Sequence, residues 1–313
     1  MAMDTQSFQM EKTCSVIILN WNGAEMLRRY LPSVVESIQK PEVSIQTEVI
    51  VADNGSTDNS LEVLAQEFPE VKTIILEKNY GFAEGYNRAI QEVDSEYIVL
   101  LNSDVETPDG WLDPLLDYLE AHPEVAAVQP KIRSWKNKAY FEHAGAAGGY
   151  LNSLGYPYCR GRVLWEVEED KGQYDTVADV DWTSGACMCM RTKVYKDLGG
   201  LDAAFFAHME EIDLCWRMRN AGWRLACVPQ SVVYHLGGGS LSYDNPRKNY
   251  LNHRNNLLMI YKNKKHPWGV LFIRFFLDYA AALFYLLQGR PKSCKAVYEA
   301  RRDYRKMRVK SEK

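Results

Sequence analysis

The stretch EVIVADNGS, residues 48–56, runs from apolar residues into a polar turn. Val49 to Ala52 are apolar and mostly branched, as in a strand that is buried on both faces. Asp53 to Ser56 are residue types that favour turns, and the next residues, 58–67, have the pattern of a helix. The stretch therefore predicts one strand–turn–helix unit of an alternating α/β fold.

The same order recurs on both sides of this stretch. Strands are predicted at residues 14–20, 48–52, 71–77 and 97–102, and helices at residues 24–38, 58–67 and 81–93. Further helices are predicted near residues 111–121 and 211–221, and in a helical C-terminal region. Alternating strands and helices predict right-handed βαβ units, and so an α/β fold with a mostly parallel central sheet flanked by helices.

The composition is that of a globular protein, with 313 residues of which 46% are hydrophobic and 25% are charged. The net charge of −4 argues against nucleic acid as a partner. The charge is unevenly distributed, because the chain from Lys262 onward has 14 Lys or Arg against 4 Asp or Glu. This basic C-terminal region is a candidate for contact with an anionic surface.

Seven cysteines with no C-x-x-C pair indicate reduced thiols in a cytosolic protein. Cys187 and Cys189 alternate on a predicted strand, which favours packing over metal ligation. The first dozen residues are polar and contain no apolar segment that would resemble a signal peptide. The expected location is the cytoplasm.

Polar residues follow three of the predicted strands, at 20–23, 53–58 and 102–104. In a doubly wound sheet, ligands bind beyond the carboxyl ends of the strands, so these residues are expected to form one site. Neither G-x-G-x-x-G nor G-x-x-x-x-G-K-[ST] is present, which argues against a dinucleotide site and a P-loop. Asp53 can accept a hydrogen bond from a nucleotide base, and Asp104 can hold a divalent cation that bridges to a diphosphate.

Each of these residues also has a purely structural interpretation. Residues 53–56, DNGS, form a good turn, and Asp104 can cap the following helix. The segment 79–87, NYGFAEGYN, can be a helix start loosened by glycine, although its two glycines also suit a close approach of backbone to a ligand. The order and spacing of all the segments together favour the functional interpretation.

That ensemble resembles a known family. The segments are VIILNWNG, VIVADNGSTDNS, NYGFAEGYNRAI, YIVLLNSD, WTSGACMCMR, MEEIDLCWRMRNAGW and YHLGGGS. Over roughly residues 14–240 they resemble the family 2 glycosyltransferases of GT-A fold, and within them the rhamnosyltransferase-like and galactofuranosyltransferase-like branch. The resemblance implies inverting transfer from a UDP- or dTDP-sugar to a glycan or lipid-linked acceptor in cell-surface polysaccharide synthesis, with Mg²⁺ or Mn²⁺.

The resemblance also implies a division of the chain. The expected parts are a flexible N-terminus (1–12), a nucleotide-sugar-binding half (13–104), an acceptor and catalytic half (105–245) and a basic, amphipathic helical region (246–313).

Residue roles follow from the matching positions. The implied donor-binding residues are Asn20, Asn22, Asp53, Ser56, Asn79, Gly81, Asn87 and Asn102; the metal ligands are Asp104 and His235; the floor between donor and acceptor is Trp182, Ser184, Gly185 and Glu210; and the catalytic base is Glu211.

Two of these positions depart from the family pattern. Asn102 stands where many members have the first Asp of Asp-x-Asp, and Glu211 stands where the catalytic Asp is usual. Trp182 can equally be a core residue, and a lone histidine such as His235 is usually structural. Asp213 is expected to pair with Arg217 at helical spacing.

Residues 268–287 are apolar and long enough to span a bilayer. Arg274 and Asp278 lie near the middle, where each charge costs roughly 2.5–3.5 kcal/mol on insertion scales. Because they are four residues apart they can pair on one helix face, which favours a helix at the membrane surface or packed on protein. Basic residues on both sides suit an anionic membrane surface. The alternative is a helical hairpin that forms a homodimer.

Two other functions compete with transfer. A nucleotidyltransferase would need a Gly-rich loop with Arg and Lys after the first strand, and LNWNGAEM is not one. A nucleotide-sugar-binding protein without activity would lack the base or the second metal ligand, and both Glu211 and His235 are present.

Overall fold

The computed structural model describes residues 12–39, 45–163, 166–237 and 245–311. Most of the predicted N-terminal tail, residues 1–11, and the glycines at 238–239 lie outside these ranges.

The strands are β1 Thr13–Asn20, β2 Gln46–Asp53, β3 Lys72–Ile75, β4 Tyr97–Asn102, β5 Val105–Glu106, β6 Val125–Ser134, β7 Gly149–Leu151, β8 Pro157–Cys159, β9 Arg162–Val163, β10 Glu166–Val167, β11 Ala178–Asp179, β12 Cys187–Arg191 and β13 Arg224–His235. The helices are α1 Ala24–Ile38, α2 Ser60–Glu67, α3 Phe82–Gln91, α4 Asp113–Ala121, α5 Thr192–Asp197, α6 Glu210–Asn220, α7 Pro246–Asn263, α8 Trp268–Leu287 and α9 Pro291–Ser311, with a 3-10 turn at Ala203–Phe205.

The central sheet has the strand order β11-β13-β6-β12-β4-β1-β2-β3, and β5 pairs with β13. Strands β3, β2, β1 and β4 are parallel, as their sequence pattern predicts, and so are β6 and β13. Strand β12 lies between these two sets and pairs antiparallel with both β4 and β6. The predicted α/β class, with helices flanking a central sheet, is confirmed.

The continuous apolar runs of the strands are explained by a core on each face of the sheet. In β1, Val16 and Ile18 belong to the core beneath α1 and α4, whereas Ile17 belongs to the core beneath α3, α6 and α7. Both faces of such a strand are dry, so no polar alternation is needed. Cys187 and Cys189 are fully buried in β12, as expected of packing residues.

Several helix boundaries differ from those predicted. Helix α1 has the predicted bounds, but α4 begins at Asp113, two residues later than predicted. Trp111 is instead a buried residue before the helix, and its indole N–H donates to Ser37 Oγ (3.0 Å). A tertiary hydrogen bond therefore decides a boundary that local pattern does not.

The C-terminal helices continue the core on one face. Leu257 and Ile260 of α7 pack into it, and α8 and α9 lie against α7. Arg274 and Asp278 of α8 are both about 1% exposed and form the expected pair (3.3 Å). Within the described residues, α8 is the one helix whose length and composition would allow it to cross a membrane.

The turn after β2 requires glycine at position 55. Gly55 has φ of 72°, and a Cβ there would lie 2.4 Å from Lys78 Cα, which is backbone and cannot move aside. Gly110 has nearly the same φ, 70°, but a Cβ there would meet nothing within 4 Å. The two glycines thus share a left-handed conformation and differ in the space around them.

We expect Gly55→Ala to lower the free energy of unfolding by about 1–3 kcal/mol more than Gly110→Ala does, because only the first adds a backbone clash to the cost of the left-handed conformation. Urea denaturation of the two variants and the parent protein measures the difference. Equal losses in both variants would contradict the packing constraint on this turn.

Candidate functional site

The carboxyl ends of β1 and β2 bring the first predicted donor-binding residues together. Asn20 and Asp53 pair in register, and Asn20 Nδ2 donates to Asp53 Oδ2 (3.0 Å) and lies 3.3 Å from Ser56 Oγ. The Ser56 amide donates to Asp53 Oδ1 (2.9 Å). Asp53 is fully buried, and Asn20 Oδ1 is buried without a partner. Asn20 Oδ1 is therefore a buried acceptor that receives no hydrogen bond from the described residues.

Asn22 forms the rim of the same group. It has φ of 50°, and its Oδ1 accepts hydrogen bonds from the amides of Thr57 (2.7 Å) and Asp58 (3.3 Å). Its own amide donates to Ser56 Oγ (2.8 Å). The turns after β1 and β2 are thus joined by hydrogen bonds between side chains and backbone, and these bonds hold Asn22 in one conformation.

Asn54, in the turn after β2, connects this turn to Asn79 and Gly81 by hydrogen bonds. The Asn54 amide group donates to Asn79 Oδ1 (3.2 Å) and to the Gly81 carbonyl (3.1 Å). Gly81 has φ of 83°, and a Cβ there would lie 2.8 Å from the Phe206 ring. The glycine is thus required by the close approach of the loop around Phe206, which precedes α6.

Asn87 joins two segments through its side chain. Its Nδ2 donates to the Leu201 carbonyl (2.7 Å), and its Oδ1 accepts from the Leu201 amide (2.9 Å) and the Tyr195 hydroxyl (2.5 Å). These bonds connect α3 to the segment after α5 and give Asn87 a structural role. Its predicted role in donor binding stays a prediction.

The predicted metal ligands meet although they are 131 positions apart. His235 at the end of β13 pairs in register with Val105 of β5, directly after Asp104. His235 Nε2 lies 3.1 Å from Asp104 Oδ1 and 3.5 Å from Asn102 Nδ2. The pairing of β13 with β5 therefore places Asn102, Asp104 and His235 in one group at the carboxyl end of β4.

Glu142 lies on the opposite side of the His235 ring, with its Oε2 3.8 Å from Nδ1. Burial alone would lower the pKa of His235, but the hydrogen bond with Asp104 and the negative charges of Asp104 and Glu142 raise it to about 10. Burial alone would likewise raise the pKa of the Asp104 carboxyl, and His235 instead lowers it. The group is thus a buried imidazolium between two carboxylates, and a metal bound at Nε2 would displace the proton of that nitrogen.

The residues present fit a divalent ion with few protein ligands. Asp104 Oδ1 and His235 Nε2 face each other, and a carboxylate and an imidazole are both acceptable ligands of Mn²⁺. Among the described residues no group of three or more His, Cys, Asp or Glu has metal-site geometry. Such a site would need oxygen atoms from a ligand and water, as magnesium sites with substrate phosphates do.

Glu210 and Glu211 begin α6, after a backbone segment in an uncommon conformation. Phe206, His208 and Met209 have φ of 66°, 68° and 73°. Side chains other than glycine rarely occupy this region, at a cost of order 1–3 kcal/mol each, and such residues cluster at functional sites. The segment 206–209 therefore sets the position of the start of α6, at the cost of backbone strain.

Both glutamates at the start of α6 have a buried Oε2 with no hydrogen-bond partner. Burial raises the pKa of Glu211 to about 7, and burial together with the Glu211 charge raises that of Glu210 well above its ordinary value. By contrast, Asp213 pairs with Arg217 (2.9 Å), as predicted. The raised pKa of Glu211 lies near neutrality, which suits a general base.

The segment 184–186 contacts both the end of β4 and the start of α6. The backbone N–H of Asn102 donates to the Ala186 carbonyl (3.0 Å), and a Cβ at Gly185 would lie 3.7 Å from Glu211 Cβ. Ser184 is held by its amide, which donates to Gln129 Oε1 (2.9 Å), and by its Oγ, which donates to the Ala144 carbonyl (3.0 Å). Ser184 and Gly185, two of the four residues predicted to form the floor, lie in this segment, and their role in the floor stays a prediction.

Trp182 does not belong to that floor. It is 4% exposed, its indole N–H donates to the Tyr150 carbonyl (3.0 Å), and a Cβ on Gly149 would lie 2.0 Å from its ring. The ring is buried against the β7 backbone, which removes its face from any sugar. The core interpretation of Trp182 is therefore the correct one.

Sequence reasoning missed Glu142 and Asn255. Glu142 stands in an irregular segment, and nothing local indicates that it reaches His235. Asn255 of α7 is fully buried, and its Nδ2 lies 3.0, 2.8 and 2.7 Å from the carbonyl oxygens of Phe205, Ala207 and His208. A buried polar residue inside an otherwise helical pattern was the available signal.

Comparison with known proteins places this geometry in a family. Residues 15–199 match the family described as Glycosyl transferase family 2. The N-acetylglucosaminyl-diphospho-decaprenol L-rhamnosyltransferase of Mycobacterium tuberculosis is 24% identical over 288 residues, which are 88% of this chain and 92% of that protein. The O-antigen biosynthesis protein RfbC of Myxococcus xanthus is 26% identical over 74% of this chain but only 18% of its own length.

Solved structures share the fold at low identity. GalNAc-T7 with UDP, GalNAc and Mn²⁺ has a TM-score of 0.62 and 16% identity, covering 95% of this chain and 55% of that one. The mannosyltransferase PcManGT from Pyrobaculum calidifontis with GDP-Man and Mn²⁺ has a TM-score of 0.57 and 16% identity, covering 95% and 79%. Both likenesses confirm the GT-A glycosyltransferase fold. Because the family match covers more than half of the chain, the protein belongs to glycosyl transferase family 2.

Proposed function

We propose that this glycosyltransferase moves a sugar, of the rhamnosyl type, from a nucleoside diphosphate sugar to a lipid-linked acceptor, with inversion at the anomeric carbon. The observation that supports this proposal is the segment 184–186, which accepts a backbone hydrogen bond from Asn102 at Ala186 and packs against Glu211 at Gly185. A base and a diphosphate-binding group that contact the same segment suit attack on the anomeric carbon from the face opposite the leaving group.

The donor half of the proposal rests on the turns after β1, β2 and β4. Asp53 would accept a hydrogen bond from a nucleotide base, with Asn20 holding its carboxylate, and the partly exposed side chain of Asn102 would meet a ribose hydroxyl. Asp104 and His235 would hold a divalent ion, which when bound neutralises charge on the diphosphate leaving group. Glu142, whose Oε2 lies 3.8 Å from Nδ1, would favour the ring orientation that puts Nε2 beside Asp104.

The acceptor half rests on Glu211. In its ionised form the carboxylate removes the proton of the acceptor hydroxyl as that oxygen forms its bond to the anomeric carbon and the bond to the diphosphate breaks. Its raised pKa makes it a stronger base than an exposed glutamate while leaving it largely ionised above neutral pH. A polyprenyl-diphosphate-linked sugar as acceptor is suggested by the name of the mycobacterial relative.

A panel of nucleoside diphosphate sugars tests the proposal, offered with Mg²⁺ or Mn²⁺ and a polyprenyl-diphosphate-linked N-acetylglucosamine. We expect a glycosylated lipid with inverted anomeric configuration, detected by mass spectrometry and NMR, and one nucleoside diphosphate released per transfer. Retention of configuration, or turnover only with nucleoside triphosphates, would contradict it.

The metal assignment predicts the effect of Asp104→Ala. Removing the carboxylate should lower the metal-dependent rate by about 10²-fold or more, because a metal supplies several kcal/mol of charge stabilisation. It should also weaken Mn²⁺ binding in the presence of nucleoside diphosphate, measured by electron paramagnetic resonance without any turnover. Asp94→Ala is the control, since that side chain is fully exposed on the surface. Unchanged Mn²⁺ affinity in Asp104→Ala would remove the assignment.

The pKa of Glu211 predicts the pH dependence of transfer. A base with a pKa of about 7 is protonated below that pH, so kcat/KM should rise about tenfold per pH unit on the acid side and level off above about pH 7. The profile is measured at saturating metal and donor, with acceptor varied. A rate that is constant from about pH 5.5 to 8.5 would exclude a base of this pKa.

Substitution at position 211 is the control for that profile. Glu211→Gln should lower kcat by about 10²–10⁴-fold while nucleoside diphosphate binding, measured by calorimetry, stays near that of the parent protein. Glu92→Gln, at an exposed position, should change neither quantity.

Asn255 is proposed as a positioning residue for Glu211, because it holds the carbonyl groups of the strained segment 205–208. Asn255→Ala should release the segment, lower kcat by roughly tenfold or more, and shift the acid limb of the pH profile to lower pH as Glu211 gains solvent. Asn249→Ala is the matched control, because it removes a buried asparagine of the same helix whose Nδ2 donates to Ser293 Oγ of α9 (3.0 Å). An unshifted profile in Asn255→Ala would contradict the positioning role.

A further inference from the structure

Helix α8 has its charged residues inside and its apolar residues outside. The buried stripe is Leu271, Arg274, Asp278 and Ala282, at helical spacing. On the outer surface, Phe272, Phe276, Leu283, Phe284 and Leu287 are exposed by 56–78%. Soluble helices have the opposite distribution, and a contiguous exposed apolar face of this kind marks an interaction surface.

The inward charges fix α8 to the rest of the protein. Arg274 donates to Asn256 Oδ1 and to the Leu154 carbonyl (3.3 Å), and its guanidinium lies 3.8 Å from the centroid of the Tyr156 ring. Asp278 accepts a hydrogen bond from Arg301 of α9. Moving α8 away from these partners would leave buried charges unpaired, which is strongly unfavourable. The helix therefore meets any partner with its outer face alone.

Helix α9 runs antiparallel to α8. Arg308 lies over the Trp268 ring (5.1 Å), Arg301 lies over the Phe275 ring (5.1 Å), and the Tyr298 and Tyr279 rings are 5.1 Å apart. At the other end, residues 288–290 alone separate the last residue of α8 from the first residue of α9.

The outward face of α9 includes the exposed basic residues Lys295, Arg302 and Arg305. A helix this polar cannot enter hydrocarbon, because each charge near the centre of a bilayer is strongly unfavourable. Because α8 is bound to α9 along its length, α8 cannot cross a bilayer while the fold is intact.

We propose that the outer face of α8 lies in the plane of an anionic phospholipid bilayer, with basic residues of α9 and of both helix ends on the headgroups. Lys265 precedes α8 and Lys292 follows it, so cations border the apolar face at both ends. These borders complement an anionic leaflet. A second copy docked through the same face would bring cations against cations, in either orientation of the two helices, which disfavours a dimer here.

The docking face is connected to the catalytic segment through α7. Asn256 bonds Arg274 of α8, and its neighbour Asn255 bonds the segment that precedes Glu211. If the acceptor is lipid-linked, as in the proposed function, one helix supports both the membrane-facing surface and the base. The docking itself needs neither donor nor metal, so its test stands apart from the test of transfer.

Flotation of the full chain with phosphatidylcholine vesicles, with and without phosphatidylglycerol, tests the docking. Phe272→Ser, Phe276→Ser and Leu283→Ser combined should weaken binding by at least about tenfold, because this apolar area would no longer be buried. Ile75→Ser, Tyr158→Ser and Val163→Ser combined are the matched control, since these exposed apolar residues lie on other elements. Equal binding by both triple variants would overturn the proposal.

The charge contribution is tested separately. Lys295→Gln, Arg302→Gln and Arg305→Gln combined should remove about tenfold or more of the preference for phosphatidylglycerol, at about 1 kcal/mol per basic residue near the surface. Lys171→Gln combined with Lys193→Gln should leave the preference for phosphatidylglycerol unchanged, because both residues are exposed elsewhere on the protein. A preference unchanged by the α9 variant would overturn the headgroup contact.

Two further outcomes distinguish the alternatives. Release of the bound protein by alkaline carbonate supports an in-plane helix, whereas retention would indicate a spanning one and overturn the proposal. Sedimentation velocity without vesicles tests self-association. The protein could fail to float and instead form a dimer that the Phe272, Phe276 and Leu283 variant disrupts. That result would assign the face to a second copy of the chain and would overturn the proposal as well.

Discussion

The pairing of β13 with β5 is the contact on which the candidate site depends. Strand β13 crosses the molecule over 12 residues, pairs with β6, and ends where His235 lies beside Val105. The backbone bond from the Leu236 amide to the Asp104 carbonyl (3.0 Å) closes this end. Every other feature of the proposed metal group follows from that pairing, because it makes a carboxylate and an imidazole neighbours at the edge where the parallel strands end.

The site holds groups that a fold selected for stability alone would avoid. The unpaired Oε2 atoms of Glu210 and Glu211 and the left-handed residues of segment 206–209 each reduce stability. Asn255 and the packing of α7 offset these costs by holding the carbonyl groups of that segment. Burial then raises the pKa of Glu211 into the range in which a carboxylate can act as a base at neutral pH.

The elements predicted most closely are those whose pattern is local and strong. Helix α1 and strand β4 have the bounds expected from sequence, because an amphipathic period and an apolar run each define one element. Prediction was poorest where a distant partner decides. The Trp111 indole bonds Ser37 and delays α4, and the Asn87 amide is occupied by Leu201 and Tyr195, contacts that no nearby residue indicates.

The sequence by itself determined the α/β class, the resemblance to family 2 and the identity of the acidic and amide residues that end the strands, since these depend on residue type and spacing. Tertiary structure decided which of them meet. It placed His235 between Asp104 and Glu142, buried Trp182 in the core, and turned the charged side chains of α8 toward the protein interior. The physical reason is that burial and long-range pairing are properties of the assembled sheet and helices, and a linear pattern does not contain them.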